Sequence, residues 1–250
     1  MLEPELEALL LRIVPNLARD WSGASPEDLE ELEERVELTG HDFPPFYRWF
    51  LSRLAGSVGA LHPILRGFTA ASVLEAYRTG SVDIGPTQFL IGRMPDALMP
   101  LDVYYDLAHP LRDDAIVLSA ILDAGPESQI SETFREWIAA RAMIKFGVMT
   151  APHQCFGAFV DPGRTAAAQL ETVMTALGFT SPITTGPFCR LYERGDMTMV
   201  AKSTVKPENL GILIYEIGGP SVAAIRRLLG EIGRGTTLQV DADRWSTRSR

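Results

Sequence analysis

The order of periodic segments predicts an α+β protein built in two parts. In the first part apolar residues recur at helical spacing, then give way from Phe89 onward to short runs of strand character and one closing helix. In the second, strand and helix signals interleave as βα-ββ-βα-β. A chain of 250 residues is long enough to give each part its own core.

Leu2, Leu6, Leu9, Leu10, Ile13 and Leu17 place a helix over residues 2–19, which Pro15 bends or shortens. Ser25 starts the next helix. Its hydroxyl can accept from the free amides of the following turn, Pro26 sits where an amide lacks a partner anyway, and acids follow. Leu29, Leu32 and Val36 form one face of this helix, while Glu27, Asp28, Glu30, Glu31, Glu34 and Glu37 crowd the rest. Gly40 supplies the stop. Phe43-Pro44-Pro45 then forces an extended turn, and Phe46, Tyr47, Trp49, Phe50, Leu51 and Leu54 make a far more apolar helix ending near Gly56. Gly59, His62-Pro63 and Gly67 break the helical period, and a short helix within residues 68–77 ends at Gly80. Residues 89–91, 101–107 and 115–122 read as strands that pair antiparallel. In the second of them Leu101, Val103, Tyr105 and Leu107 alternate with Asp102, Tyr104 and Asp106. Adjacent strand residues face opposite ways and cannot share a proton, so Asp113 and Asp114 read as loop charges. Ser131 caps the closing helix, which carries Phe134, Trp137, Ile138 and Ala142 on one face.

Gly147 and Pro152 bracket a polar piece at residues 145–152, which sets domains over 1–146 and 152–245. Residues 155–160 form a strand, Asp161-Pro162-Gly163 turns the chain, and a helix carrying Leu170, Val173, Met174 and Leu177 stops at Gly178. Residues 188–192 and 197–202 flank a hairpin turn at Arg194-Gly195-Asp196. A strand over 210–217, a helix from Ser221 and a last strand over 237–240 complete a ferredoxin-like βαββαβ unit with an extra strand.

Composition narrows the function. The net charge of -9 argues against non-specific nucleic-acid binding, because a polyanion would be repelled over most of the surface, and it suits a basic partner. The acids gather in the first 40 residues, whereas Arg226, Arg227, Arg234, Arg244, Arg248 and Arg250 make the end lean basic. Two cysteines, Cys155 and Cys189, make no disulfide framework and fit a reducing compartment. With Glu3, Glu5 and Glu7 in place of a basic leader, and no apolar run of the roughly 18 residues a bilayer requires, the expected location is the cytoplasm.

Chemistry-bearing patterns are sparse. No two of His41, His62, His109 and His153 share a metal-ligand spacing, and neither a nucleophile elbow nor a phosphate-binding glycine loop occurs. No catalytic residue, metal or cofactor is therefore expected. The acidic helix reads either as a solvated face or as a docking face for a basic protein through Glu27, Glu30, Glu31 and Glu34, with Arg48 and Arg53 near the loops of residues 56–67.

Trp21 ahead of the helix cap, Leu29 with Glu33, the Phe43-Pro44 turn, the run Tyr47-Arg48-Trp49-Phe50-Leu51, and the closing Ser131-Glu132-Thr133-Phe134-Arg135-Glu136-Trp137-Ile138 together resemble the SUKH superfamily, the Smi/Knr-like proteins. The resemblance covers about residues 2–145. Leu38-Thr39-Gly40-His41-Asp42 departs from the short Leu-Gly-hydrophobic link usual before the turn. What the resemblance implies is a bacterial immunity protein, one that captures a cognate toxin, often a nuclease or deaminase of a polymorphic toxin system. A rival class is a regulatory or scaffolding protein whose C-terminal unit binds a small ligand near Gly157, Gly186 or Gly218-Gly219. His153, the strand leading to Asp161 and Glu216 also look like one module of the glyoxalase-type metal enzymes, which normally need two.

Overall fold

The computed structural model describes residues 3–82, 85–94, 101–121, 125–161, 163–203 and 211–247. Leu2, Leu122, Pro162, Leu210, Arg248 and Arg250, assigned above to elements, a turn and the basic end, lie outside them. The described residues form a mixed α and β structure with antiparallel sheets. Packing divides the chain into two compact units, one of residues 10–137 and one that combines residues 2–9 with 138–250.

Helix α1 (Glu3–Ile13) stops before Pro15, and Asn16, at φ 58°, restarts the chain as the single turn α2 (Leu17–Asp20). Strand β1 (Trp21–Ser22) leads to α3 (Pro26–Glu37), where the Ser25 hydroxyl accepts from the Asp28 amide at 3.1 Å and Gly40, at φ +76°, provides the left-handed exit. Helix α3 buries Leu32 and Val36 and half-buries Leu29. Helix α4 (Pro45–Leu54) follows the Pro turn and sinks Phe46, Tyr47, Phe50, Leu51 and Leu54. Its rings join those of the sheet and of the closing helix: Tyr47 lies 5.4 Å from Tyr105, and Phe50 lies 5.0 Å from Phe134. Edge-to-face rings at such spacings add to simple area burial.

Residues 56–67 are more ordered than their glycines suggest. Strand β2 (Ser57–Val58) pairs with β1, and helical turns follow through α5 (His62–Leu65) because Leu61, Ile64, Leu65 and Phe68 all reach the core. Helix α6 (Ala70–Arg78) is capped by Thr69, whose hydroxyl accepts from the Ser72 amide at 3.3 Å, and ends at Gly80. The sheet of this unit runs β3 (Gln88–Met94), β4 (Leu101–Leu111), β5 (Asp114–Ile121) and β6 (Gly125–Ser131), each antiparallel to the next. Strand β6 was not expected, since Gly125-Pro126-Glu127-Ser128 lacks alternation. Two further expectations fail here. Asp102 and Tyr104 are buried with Val103 and Tyr105, because β4 is covered on both faces. Asp114 is a core carboxylate, with only Asp113 exposed.

Helix α7 (Phe134–Ala142) is capped by Thr133, whose hydroxyl accepts from the Glu136 amide at 3.2 Å. Ser131, the expected cap, is instead the last residue of β6. The helix continues as a π-helical stretch, Met143–Val148, which contains Lys145 and Gly147.

In the second unit β7 (His153–Val160), α8 (Ala166–Ala176), the hairpin β8 (Cys189–Arg194) and β9 (Met197–Ser203), β10 (Ile212–Gly219), α9 (Val222–Gly235) and β11 (Gln239–Thr247) follow in turn. The sheet has five antiparallel strands in the order β11-β7-β10-β9-β8, one strand more than a βαββαβ unit. Leu170 and Met174 of α8 and Ile225, Leu228 and Ile232 of α9 join one core with Phe159, Met199, Leu213, Tyr215 and Ile217. Residues 218 and 147 must be glycine for close packing: a Cβ at Gly218 would stand 2.7 Å from Val148 Cα, and one at Gly147 would stand 2.9 Å from Thr198 Cγ2.

Candidate functional site

Helix α3 brings together most of the residues that the sequence nominates for partner binding, but it divides them by role. Glu27, Glu30, Glu34 and Glu37 are exposed. Their spacing of three or four residues lines them along one side of the helix, opposite Leu32 and Val36. Leu38, at the end of this stripe, is 87% exposed. Glu31 is engaged instead. It accepts from Arg35 one turn on, at 2.7 Å, and from the Arg78 guanidinium of α6 through both carboxylate oxygens. Hydrogen bonds from Arg78 and Arg35 hold its carboxyl below the usual range. Glu33 pairs with Arg48, which lies 5.4 Å over the Phe43 ring, so both belong to the α3–α4 contact. Arg53 lies 5.5 Å over the Trp21 ring. The outward carboxylates are thus Glu27, Glu30 and Glu34, with Glu37 added.

Charge is distributed unevenly along the chain. Residues 10–137 hold twenty Asp and Glu against ten Lys and Arg, while residues 2–9 and 138–250 hold twelve against thirteen. The first unit therefore carries -10 and the second +1, so the field that a partner meets comes from the first.

A cleft of about 470 Å³ opens in the first unit beside α6. His62, Arg66, Ser72, Glu75, Thr79 and Arg93 contribute its polar groups. Gly67 sets its floor: a Cβ there would meet the Arg93 carbonyl oxygen at 1.8 Å, so the turn holding Arg66 can lie directly on β3. Arg93 faces Asp102 across the β3–β4 ladder and donates to it through Nε and Nη2, at 2.6 and 2.9 Å. The Tyr104 hydroxyl donates to the same carboxylate at 3.0 Å. This partner raises the guanidinium above its ordinary range and fixes its plane. Reasoning from sequence missed the cleft, although the cross-strand pair of Arg93 and Asp102 was there to be found had β3 been extended past Ile91.

The second unit does not bring its nominated residues together. Glu216 stands opposite Phe156 and His153 opposite Gly219, so the two side chains leave the sheet on opposite faces. The His153 ring lies 3.3 Å from the Thr247 hydroxyl, and burial pushes the Glu216 carboxyl up. Protein atoms pack closely at the nominated glycines. A Cβ at Gly157 would lie 2.0 Å from the Asp241 carbonyl oxygen, one at Gly219 would stand 3.0 Å from Ile225 Cγ1, and the Gly186 carbonyl oxygen accepts from Arg190. Among the described residues no group of three or more His, Cys, Asp or Glu could hold a metal ion, and no helix is long and apolar enough to cross a membrane. No family model matches the chain, and no curated protein matches it.

Proposed function

We propose that this chain is a non-catalytic capture protein of the bacterial immunity type, which binds a basic toxin, a nuclease or deaminase, in the cytoplasm. In this reading the first unit is SUKH-like and the second is ferredoxin-like with one additional strand. The observation that carries it is the charge of -10 confined to residues 10–137, with Glu27, Glu30, Glu34 and Glu37 presented outward on a helix whose Glu31 and Glu33 are already paired. Helices ahead of a four-stranded antiparallel sheet and a helix after it are compatible with the resemblance carried by Trp21, Phe43-Pro44 and Tyr47-Arg48-Trp49-Phe50-Leu51. An acidic stripe steers a basic protein during encounter, and a few desolvated contacts then hold it.

The test is capture from the native host with tagged wild type and with a variant in which Glu27, Glu30, Glu34 and Glu37 are all lysine. The expected result is one basic protein at one-to-one stoichiometry, associating about 10- to 100-fold more slowly with the variant and more slowly at high salt. Recovery of the chain alone from cells that make the toxin, or equal capture by the variant, would remove this reading. The cleft beside α6 favours a second reading, a regulatory or scaffolding protein that binds a small ligand, there in the first unit.

A further inference from the structure

The cleft beside α6 combines opposite charges in a volume suited to a small molecule, since pockets for such ligands run from about 300 to 1,000 Å³. Its cationic side is already organised. Asp102, itself buried, ties Nε and Nη2 of Arg93, and Nη2 also donates to the Ser81 carbonyl oxygen at 3.2 Å. Nη1 makes only a long contact of 3.4 Å to the Ser81 hydroxyl, so it is the nitrogen with capacity for an incoming acceptor. Arg66 and His62 are exposed on the same cleft. Ser72 adds a donor, because its oxygen accepts from the Thr69 hydroxyl at 2.8 Å and its own proton is left to point elsewhere. The anionic side is Glu75. Its carboxylate is exposed and makes no hydrogen bond or ion pair among the described residues, although it shares the cleft with two arginines.

We propose that this cleft binds a small zwitterion, which presents a phosphate or carboxylate to Arg93 and Arg66 and an ammonium group to Glu75. A simple anion would gain the arginines but meet repulsion from Glu75, whereas a zwitterion satisfies both ends. An extended polymer is disfavoured by the size of the cleft. The site does not depend on the immunity reading, because none of its residues is an outward carboxylate of α3.

The test is titration of the full ¹⁵N-labelled chain with phosphoethanolamine, 4-aminobutyrate and inorganic phosphate, following the amides of Gly67, Ser72 and Thr79. The expected result is saturable binding of one zwitterion, about tenfold tighter than phosphate, as a charge-assisted contact of about 1.4 kcal/mol or more provides. Preference for phosphoethanolamine or for 4-aminobutyrate tells which anionic group fits. Glu75→Gln should abolish the preference over phosphate, and Arg66→Gln should weaken binding about tenfold. Glu75 is exposed, so thermal unfolding of Glu75→Gln should match wild type. Shifts absent for all three probes, phosphate bound as tightly as either zwitterion, or an Arg66→Gln variant that binds like wild type would overturn the proposal.

Discussion

Asp114 shows how much of one residue's behaviour is set by its surroundings. It heads β5 in the core of the first unit and accepts from its neighbour Ala115 at 2.9 Å and from the Arg135 amide, in the first turn of α7, at 3.0 Å. These bonds and the adjacent Tyr105 hydroxyl favour the carboxylate, but burial outweighs them and pushes its pKa up from 3.8 to about 6. The folded protein therefore holds this proton to higher pH than the unfolded chain does. The contribution to stability is complete below 3.8 and is lost as the pH rises through about 6. Asp114→Asn keeps an acceptor for α7 and removes the ionisation. Between about pH 4 and pH 8 the stability of wild type relative to this variant should fall by roughly 2 kcal/mol. Urea unfolding of both proteins across that range would measure it, and a difference independent of pH would show that Asp114 is not the titrating group.

Elements were legible where a cap or a stop announces them. Ser25 and Ser221 cap α3 and α9, and Gly40 and Gly178, at φ +76° and +78°, follow α3 and α8 as the sequence indicates. Each signal lies within a few residues of what it controls. Strand β6 and the outer half of β11 exist because a neighbour supplies hydrogen bonds, and Gly125-Pro126 or Asp241-Ala242-Asp243 are residue types of low strand propensity that do not reveal it. The cleft was invisible for the same reason, since its residues range from His62 to Arg93 and meet only through the Gly67 contact and the β3–β4 register. The turn into α8 is a local signal with a measurable effect. Asp161 accepts from the Gly163 amide at 2.9 Å and from both the amide and the hydroxyl of Thr165, organising the residue before the helix. Burial raises its carboxyl, but these bonds prevail and the net shift is downward, so its contribution is present above the unfolded value of 3.8 and fades as the pH falls. Asp161→Ala should cost about 1 to 2 kcal/mol in denaturant unfolding at neutral pH, while Asp161→Asn should retain most of that stability. Equal losses in the two variants would mean that packing, not the acceptor, is what matters there.

At the scale of the whole molecule, charge and chain order are assigned differently. The first unit carries -10 against +1 for the second, yet the second takes residues from the start of the chain, since residues 2–9 count with 138–250. The Thr184 amide donates to Glu5 Oε2 at 3.1 Å, joining positions 179 residues apart, and Leu6 and Leu9 are buried at 0% and 2% exposure. The second unit therefore draws on residues from the opposite end of the sequence, and its stability should respond to changes there. Leu6→Ala removes a buried side chain whose loss typically costs about 2 to 5 kcal/mol. Where amides exchange by opening of a whole unit, a loss of about 3 kcal/mol corresponds to exchange roughly 100-fold faster. Amide exchange in the full-length variant should accelerate by that order in β7, β9 and β10. The Leu90 amide of the first unit, bonded to the Tyr77 hydroxyl at 2.8 Å, should keep its wild-type rate. If Leu90 accelerates as much as the second sheet, the two units unfold together; if neither changes, residues 2–9 are an appendage and the second unit needs no help from them.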